Sequence, residues 1–439
     1  MIIYSNAGQM MEETLQKYKG DIIDRFFAER TMAIDYYTYD NTAKYIEDKF
    51  KGSINNEIDI YTSKITKRLI DRISLVYKNS PNRTIDTDKY YDLIGQKDYK
   101  LKKIERIHNL LGTIAVRIAW NGNGFTYEPV LEFEPVFSDD NFMDPIGIVY
   151  CLGHPSGSRG DVKDMTYVYW SDTEHYMFNY NGKIMHMEGN EDGVNPYGIL
   201  PFVFLHNDSI DNFWTTGEGF DIAQTNKQID QQLTQLAFKL RMSDGILACN
   251  GRVDANNIQI GLNKLSVIED GNMYSVNPQT NIQPSIDAIK DQLTLLSTNH
   301  HMSFDWGVNG NQSGVAIKLN NLELMESRED AVEKFRQLEK HIYKIEKQIA
   351  LAETGINMPD NIFINFTEIE FPDPENERNK WDWLFSNNLA TPVDYLMSKD
   401  AELTREGAEE IILNNKNINN PQSTQSNGLL QALEKPVNE

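Results

Sequence analysis

Residues 219–243 read GFDIAQTNKQIDQQLTQLAFKLRMS, and residues 284–303 read PSIDAIKDQLTLLSTNHHMS. In the first stretch Phe220, Ile222, Ile229, Leu233, Leu236 and Leu240 are the apolar members of a helix. Lys239 and Arg241 stand near its C-terminal end, where cations complement the helix dipole. In the second, Pro284 suits a first helical turn, and Ile286, Ile289, Leu293 and Leu296 form the apolar face. The residues between them, 244–283, are rich in Asn and Gly, strand-like and weakly periodic. The reading is therefore two helices bracketing a small insert.

Toward the C-terminus, Phe304-Asp-Trp-Gly-Val-Asn-Gly-Asn-Gln-Ser-Gly314 reads as a flexible loop, because glycine and asparagine break regular structure. A long helix is expected from about Ser313 to Thr354. Phe335, Leu338, Ile342, Ile345 and Ile349 repeat along it at steps of 3 and 4, a heptad-like seam, and Gly355 ends it. Such a helix would span roughly 60 Å at 1.5 Å per residue, so it is expected to cross between units or to bend. Residues 362–371 read as a strand, and Asp373-Pro374-Glu375 opens a last helical region to about Leu413. The Asn/Gln/Ser-rich tail from Asn414 is expected to be disordered.

Toward the N-terminus, residues 9–80 read as mostly helical. One face carries Ile65, Leu69, Ile70, Ile73 and Val76, and the Asn79-Ser80-Pro81-Asn82 stop comes after it. A further helix runs from about Asp98 to Leu111 and ends at Gly112. Residues 113–206 read as an antiparallel β unit. Ile114–Trp120, then Asn121-Gly122-Asn123-Gly124, then Phe125–Phe137 has the form of a hairpin, and Asn181-Gly182 marks a second one. The fold class expected is α+β, multi-domain and mostly helical.

The chain of 439 residues suggests about three folded units. Its formal charge of −23 argues against a simple cationic coat on nucleic acid. Two cysteines, Cys151 and Cys249, exclude a disulfide scaffold and a zinc ribbon. No signal peptide and no apolar run long enough to span a bilayer is visible. There is no G-x-x-x-x-G-K-[ST], no H-E-x-x-H and no G-x-S-x-G. His300-His301 reads as a polar helix end, since adjacent helical residues point about 100° apart. Met185-His186-Met187 reads as part of a strand. Asp139, Asp140 and Asp144 could in principle serve as an acid–base pair or hold a hard cation. Flanking Asn141 between strands, they read better as a turn. No catalytic residue, metal or cofactor is assigned.

Taken in order, these units resemble the portal proteins of tailed bacteriophages. Pro135-Val-Phe-Ser-Asp-Asp140 is similar to that family's strand ending in an aspartate turn. Asn195-Pro-Tyr-Gly-Ile-Leu-Pro-Phe-Val-Phe-Leu-His-Asn207 is similar to its segment before the stem. Gln312-Ser-Gly-Val-Ala-Ile-Lys318 is similar to its Ser-Gly-x-Ala-x-Lys approach to the long helix. The resemblance implies a wing at 1–218, stem helices at 219–243 and 284–303, and a clip at 244–283. It further implies a tunnel loop at 304–311, a long wing helix at 312–355, a small C-terminal wing or crown at 356–413, and a tail at 414–439.

It also implies a non-enzymatic ring, typically of twelve copies, at a capsid vertex of the virion, assembled in the host cytoplasm. Double-stranded DNA would pass through its channel, and terminase, head–tail adaptor or tail proteins and the major capsid protein would be its partners, with no membrane involved. On that reading Ile229, Leu233, Leu236, Ile289, Leu293 and Leu296 pack the stem within and between subunits. Asn309, Gly310, Asn311 and Gln312 face DNA, and Arg252 and Lys264 meet partners at the clip. An acidic channel would let DNA slide with little sticking. The alternatives are an acidic, carboxylate-dependent hydrolase and another virion scaffold or assembly protein.

Overall fold

The computed structural model describes residues 21–50, 60–141, 143–153, 166–179, 183–207, 212–243, 246–250, 272–276, 281–302, 322–369, 374–400 and 403–419. The fold is α+β and divides into two compact units: residues 1–304 with 321–369, and residues 305–320 with 370–439.

The first unit begins with helices α1 (Asp21–Thr38), α2 (Lys44–Phe50) and α3 (Ile65–Ile73). The helix expected to continue to Val76 stops at α3 for a tertiary reason. The Ser74 hydroxyl donates back to the Ile70 carbonyl at 2.7 Å, and the Glu105 carboxylate captures the N–H groups of Val76 and Tyr77 at 2.7 and 3.0 Å. The chain continues instead as a short 3-10 turn, Val76–Lys78. Strand β1 (Asn82–Thr84) and helices α4 (Lys89–Ile94) and α5 (Lys97–Leu111) come next. Gly112 ends α5 at φ +76°, the left-handed conformation that favours glycine.

The β region forms two antiparallel sheets. Strands β2 (Ile114–Trp120), β3 (Phe125–Val130) and β9 (Phe202–Leu205) give a sheet of order β3-β2-β9. The Asn121 side chain closes the β2–β3 turn by accepting from the N–H groups of Asn123 and Gly124 at 3.0 and 2.9 Å, with Gly122 at φ +92°. The apolar run expected over Phe125–Phe137 does not stay in one sheet. It breaks after Val130, and β4 (Phe133–Val136) joins β5 (Gly147–Gly153), β6 (Thr166–Ser171), β7 (His175–Asn179) and β8 (Ile184–Met185) in a second sheet of order β4-β5-β6-β7-β8. Alternation along β6 explains this second sheet. Tyr167 and Tyr169 pack on one face with Val149, Tyr176 and Phe178, while Val168 and Trp170 pack on the other with Ile148, Phe202 and Phe213. Asn181-Gly182 lies outside the described residues, though β7 and β8 pair on either side of it, Phe178 opposite Ile184.

Helix α6 (Glu218–Ser243), the antiparallel strands β10 (Ile246–Asn250) and β11 (Asn272–Val276), and helix α7 (Gln283–Asn299) come after the sheets. Helix α8 (Leu322–Thr354) is described from Leu322, so its expected first residues from Ser313 lie outside the described residues. It is buried in the main core of the first unit through Phe335, Leu338, Ile342, Ile345 and Ile349. The strand expected at 362–371 is the short β12 (Phe363–Asn365), which pairs with β1. In the second unit the single expected helical region is three helices: α9 (Pro374–Ser386), α10 (Pro392–Lys399) and α11 (Arg405–Asn419). Thr391 opens α10 with a reciprocal capping box to Asp394, and α11 continues past Leu413 to Asn419.

One buried histidine carries a pH signature. His108 on α5 lies within 2.7 Å of the Gly112 carbonyl, and burial, helped by the Lys334 charge, pulls its pKa down to about 3. The folded state therefore holds it neutral where the unfolded chain takes up a proton near 6.5. A depressed folded value means that stability is lost as pH falls below 6.5, with a slope of at most about 1.4 kcal/mol per pH unit. The stability advantage of wild type over His108→Asn is expected to narrow from pH 7 to pH 5 in urea titrations. An advantage constant over that range would show that His108 does not titrate this way.

Candidate interaction site: a helix pair and its root

Helices α6 and α7 run antiparallel, as contacts at both ends show. At one end the Lys239 ammonium donates to the Ser285 hydroxyl at 2.9 Å. At the other, His300, the C-terminal cap of α7, lies between two acids of the first turn of α6. Its Nδ1 is 3.2 Å from Glu218 Oε2 and its Nε2 is 3.4 Å from Asp221 Oδ2. A histidine at a helix C-terminus facing carboxylates at a helix N-terminus agrees with both helix dipoles. The hydrogen bond to His300 holds the Glu218 carboxyl below its ordinary value. The histidine pair is thus a helix-end feature. Among the described residues no group of three or more His, Cys, Asp or Glu side chains could hold a metal ion.

The body side of α6 is fixed by a polar ladder. Asn226 Oδ1 accepts from the Thr66 N–H and hydroxyl, both at 3.0 Å, and its amide donates to Ser63 at 2.9 Å and Asp230 at 3.0 Å. The Ser63 hydroxyl donates to Asp230 at 2.5 Å, and the Tyr61 N–H reaches Thr234 at 3.0 Å. Burial pushes the Asp230 carboxyl up to about 6. These residues missed notice in the sequence because Asn226, Asp230 and Thr234 look like a solvated helix face. Their i, i+4, i+8 spacing is the signal that places them on one stripe.

The root of α6 is locked by three glycines. A Cβ at Gly112, Gly217 or Gly219 would lie 2.3 to 2.4 Å from a backbone atom of the facing segment, so α5 and the start of α6 approach at backbone distance. The Thr113 N–H donates to the Thr215 carbonyl at 3.1 Å across the same joint. Beside it a cleft of about 170 Å³ lies between the ends of α7 and α8, lined in part by Glu105, Glu218, His300 and Arg328.

The proposed stem residues divide into two groups. Ile229, Ile289 and Leu296 are buried within this chain, whereas Leu233, Leu236 and Leu293 are only half-buried. Leu240 and Leu295 are exposed, at 47% and 63%, so the pair leaves leucine on its outer surface. Asn309, Gly310, Asn311, Gln312, Arg252 and Lys264 lie outside the described residues. Asp139, Asp140, Asn141 and Asp144 form the exposed turn expected. Asn141 Oδ1 accepts from the N–H groups of Met143 and Asp144, and Asp140 accepts from the Ser138 hydroxyl.

No family model matches the chain, and no curated protein matches it. Among solved structures it is similar to a chain in the neck of an empty gene transfer agent (GTA) particle computed with C6 symmetry, at 9% identity and a TM-score of 0.38, over 76% of this chain and 87% of that one.

Proposed function

We infer that the chain is a portal-type subunit. In this reading copies form a ring at a capsid vertex, DNA passes through the central channel during packaging and ejection, and terminase and adaptor dock at the β10–β11 end. The observation that carries it is the order α6, paired strands β10 and β11, α7, α8: an antiparallel helix pair with an antiparallel strand pair between its helices in sequence, rooted by its glycine joint in an α+β body to which α8 returns. Half-buried Leu233, Leu236 and Leu293, with exposed Leu240 and Leu295, supply apolar surface for neighbouring copies. The loop 304–311 is assigned to the channel and Arg252 and Lys264 to partner contacts on the resemblance. The capsid protein and the number of copies belong to the same proposal.

Negative-stain imaging and mass measurement of the purified protein test it, with rings bearing a central hole expected. Leu236→Asp separates assembly from folding. In one chain the side chain is half-exposed and its charge reaches water, whereas in a ring it would be desolvated at a cost of several kcal/mol per interface. A folded protein without rings is expected. Rings of unchanged stability would remove the stem assignment, and a monodisperse monomer for wild type would remove the portal reading.

A further inference from the structure

Charge is segregated within this acidic chain. From Lys64 to Arg106 there are 12 Lys/Arg and six Asp/Glu, a formal +6, which leaves 30 of the chain's 42 bases and 59 of its 65 acids for the rest, a formal −29. Two helices carry the basic surface. Arg68 and Arg72 are exposed at i and i+4 on α3, Lys64 is exposed at its N-terminal cap, and Lys100 and Lys103 are exposed on α5. The two helices meet where Asp71 accepts from Lys67 at 2.9 Å and pairs with Arg106 at 3.2 Å.

The acids Asp71, Asp98 and Glu105 of these helices already have partners, and Glu105 is buried. Asp71 is held by Lys67, Arg106 and the Tyr37 hydroxyl, Asp98 by Arg83, and Glu105 by two backbone N–H groups. The outer face thus carries a net positive charge. Tyr99, 66% exposed beside Lys100, and Tyr61, 52% exposed near Lys64, add the aromatic character that marks protein interfaces.

We propose that this α3/α5 face docks a second copy of the chain, through the acidic surface at the start of its α8. There Glu323, Glu326, Glu329 and Asp330 are all exposed, with Glu323, Glu326 and Asp330 at i, i+3, i+7. The basic surface of one copy meeting the acidic surface of the next makes a head-to-tail contact, the kind that closes rings. It also offsets the repulsion expected between copies that each carry −23. A second copy is favoured over nucleic acid because the complementary acid is supplied by the chain itself. The inference rests on the ring reading only for the closure of the assembly.

The test compares three full-length variants with wild type by analytical ultracentrifugation at ~50 mM and ~500 mM salt, which differ several-fold in screening. The first reverses the basic face (Arg68→Glu, Lys100→Glu, Lys103→Glu), the second the acidic face (Glu323→Lys, Glu326→Lys, Asp330→Lys), and the third carries both sets. Each single reversal is expected to weaken association at low salt by about tenfold or more, and the combined variant to recover it. Circular dichroism establishes that each is folded. Should the basic reversal unfold the chain, Gln at the same three positions is expected to give a smaller loss and a flatter salt dependence.

Association unchanged by the basic-face reversal overturns the proposal. So does an unchanged assembly combined with lost binding to a double-stranded DNA fragment, which would assign the face to nucleic acid. Wild type that associates through this face without forming rings would overturn the portal reading and leave this inference standing. Rings insensitive to all three variants would do the reverse.

Discussion

Glu346→Ala is expected to destabilise the first unit by about 3–5 kcal/mol, the cost of stranding a buried charge. Glu346 lies on α8 with no exposure and is the shared acceptor of a closed set of donors. The Lys97 ammonium donates to its two oxygens at 2.7 and 3.0 Å, the Tyr90 hydroxyl at 3.0 Å, and the Tyr127 hydroxyl to Oε1. Lys97 is itself 1% exposed and also donates to Tyr90. Removing the carboxylate leaves the ammonium and two phenols without their acceptor. The combined change Lys97→Met with Glu346→Leu is expected to cost much less, because neither charge is then left alone. Urea titrations of the two variants check this, and a loss below about 1 kcal/mol for Glu346→Ala would mean that water reaches Lys97. Seven residues earlier, Glu339 repeats the arrangement with Arg83 at 2.6 and 2.8 Å and Tyr77 at 2.9 Å.

Gly219→Ala is expected to destabilise by about 3 kcal/mol, although in an open helix the same change stabilises by about 1 kcal/mol. The added methyl would lie 2.3 Å from the Leu110 carbonyl oxygen and 2.8 Å from its Cα. Backbone cannot rotate aside as a side chain can, so α6 has to move off α5. The displacement would carry through Thr113 and Thr215 to the base of the helix pair. Gly407→Ala on α11 is the control. Its Cβ meets only side-chain atoms, at 3.3 and 3.4 Å, and a neutral or stabilising effect is expected. Thermal unfolding of both variants decides the point by the sign of the shift at Gly219.

Periodicity located the elements that carry this architecture. The spacing of Ile229, Leu233 and Leu236, the Pro284 start of α7, the Gly112 stop and the Asn121-Gly122 turn each specify local backbone geometry, and each lies in or beside the element expected. Local chemistry was equally legible at Asp139–Asp144, where an Asn side chain closes a turn by bonding its own neighbours. Glu339 and Glu346 show where such reading stops. They follow Leu338 and Ile345 in a helix full of charge, and a stripe widened by one residue is buried only because Arg83 and Lys97, some 250 positions earlier, arrive against it.

The same distinction governs the rest of the molecule. Which strands share a sheet, why α3 ends at Ile73 and why Gly219 must be glycine all depend on groups distant in sequence: Phe202 and Phe213, Glu105, and the Leu110 carbonyl. Short-range rules of turn, cap and hydrophobic period act within a few residues, so they are written in the order of amino acids. Burial of charge and backbone approach come into being only when the chain has folded, because each is a relation between segments that no local pattern joins.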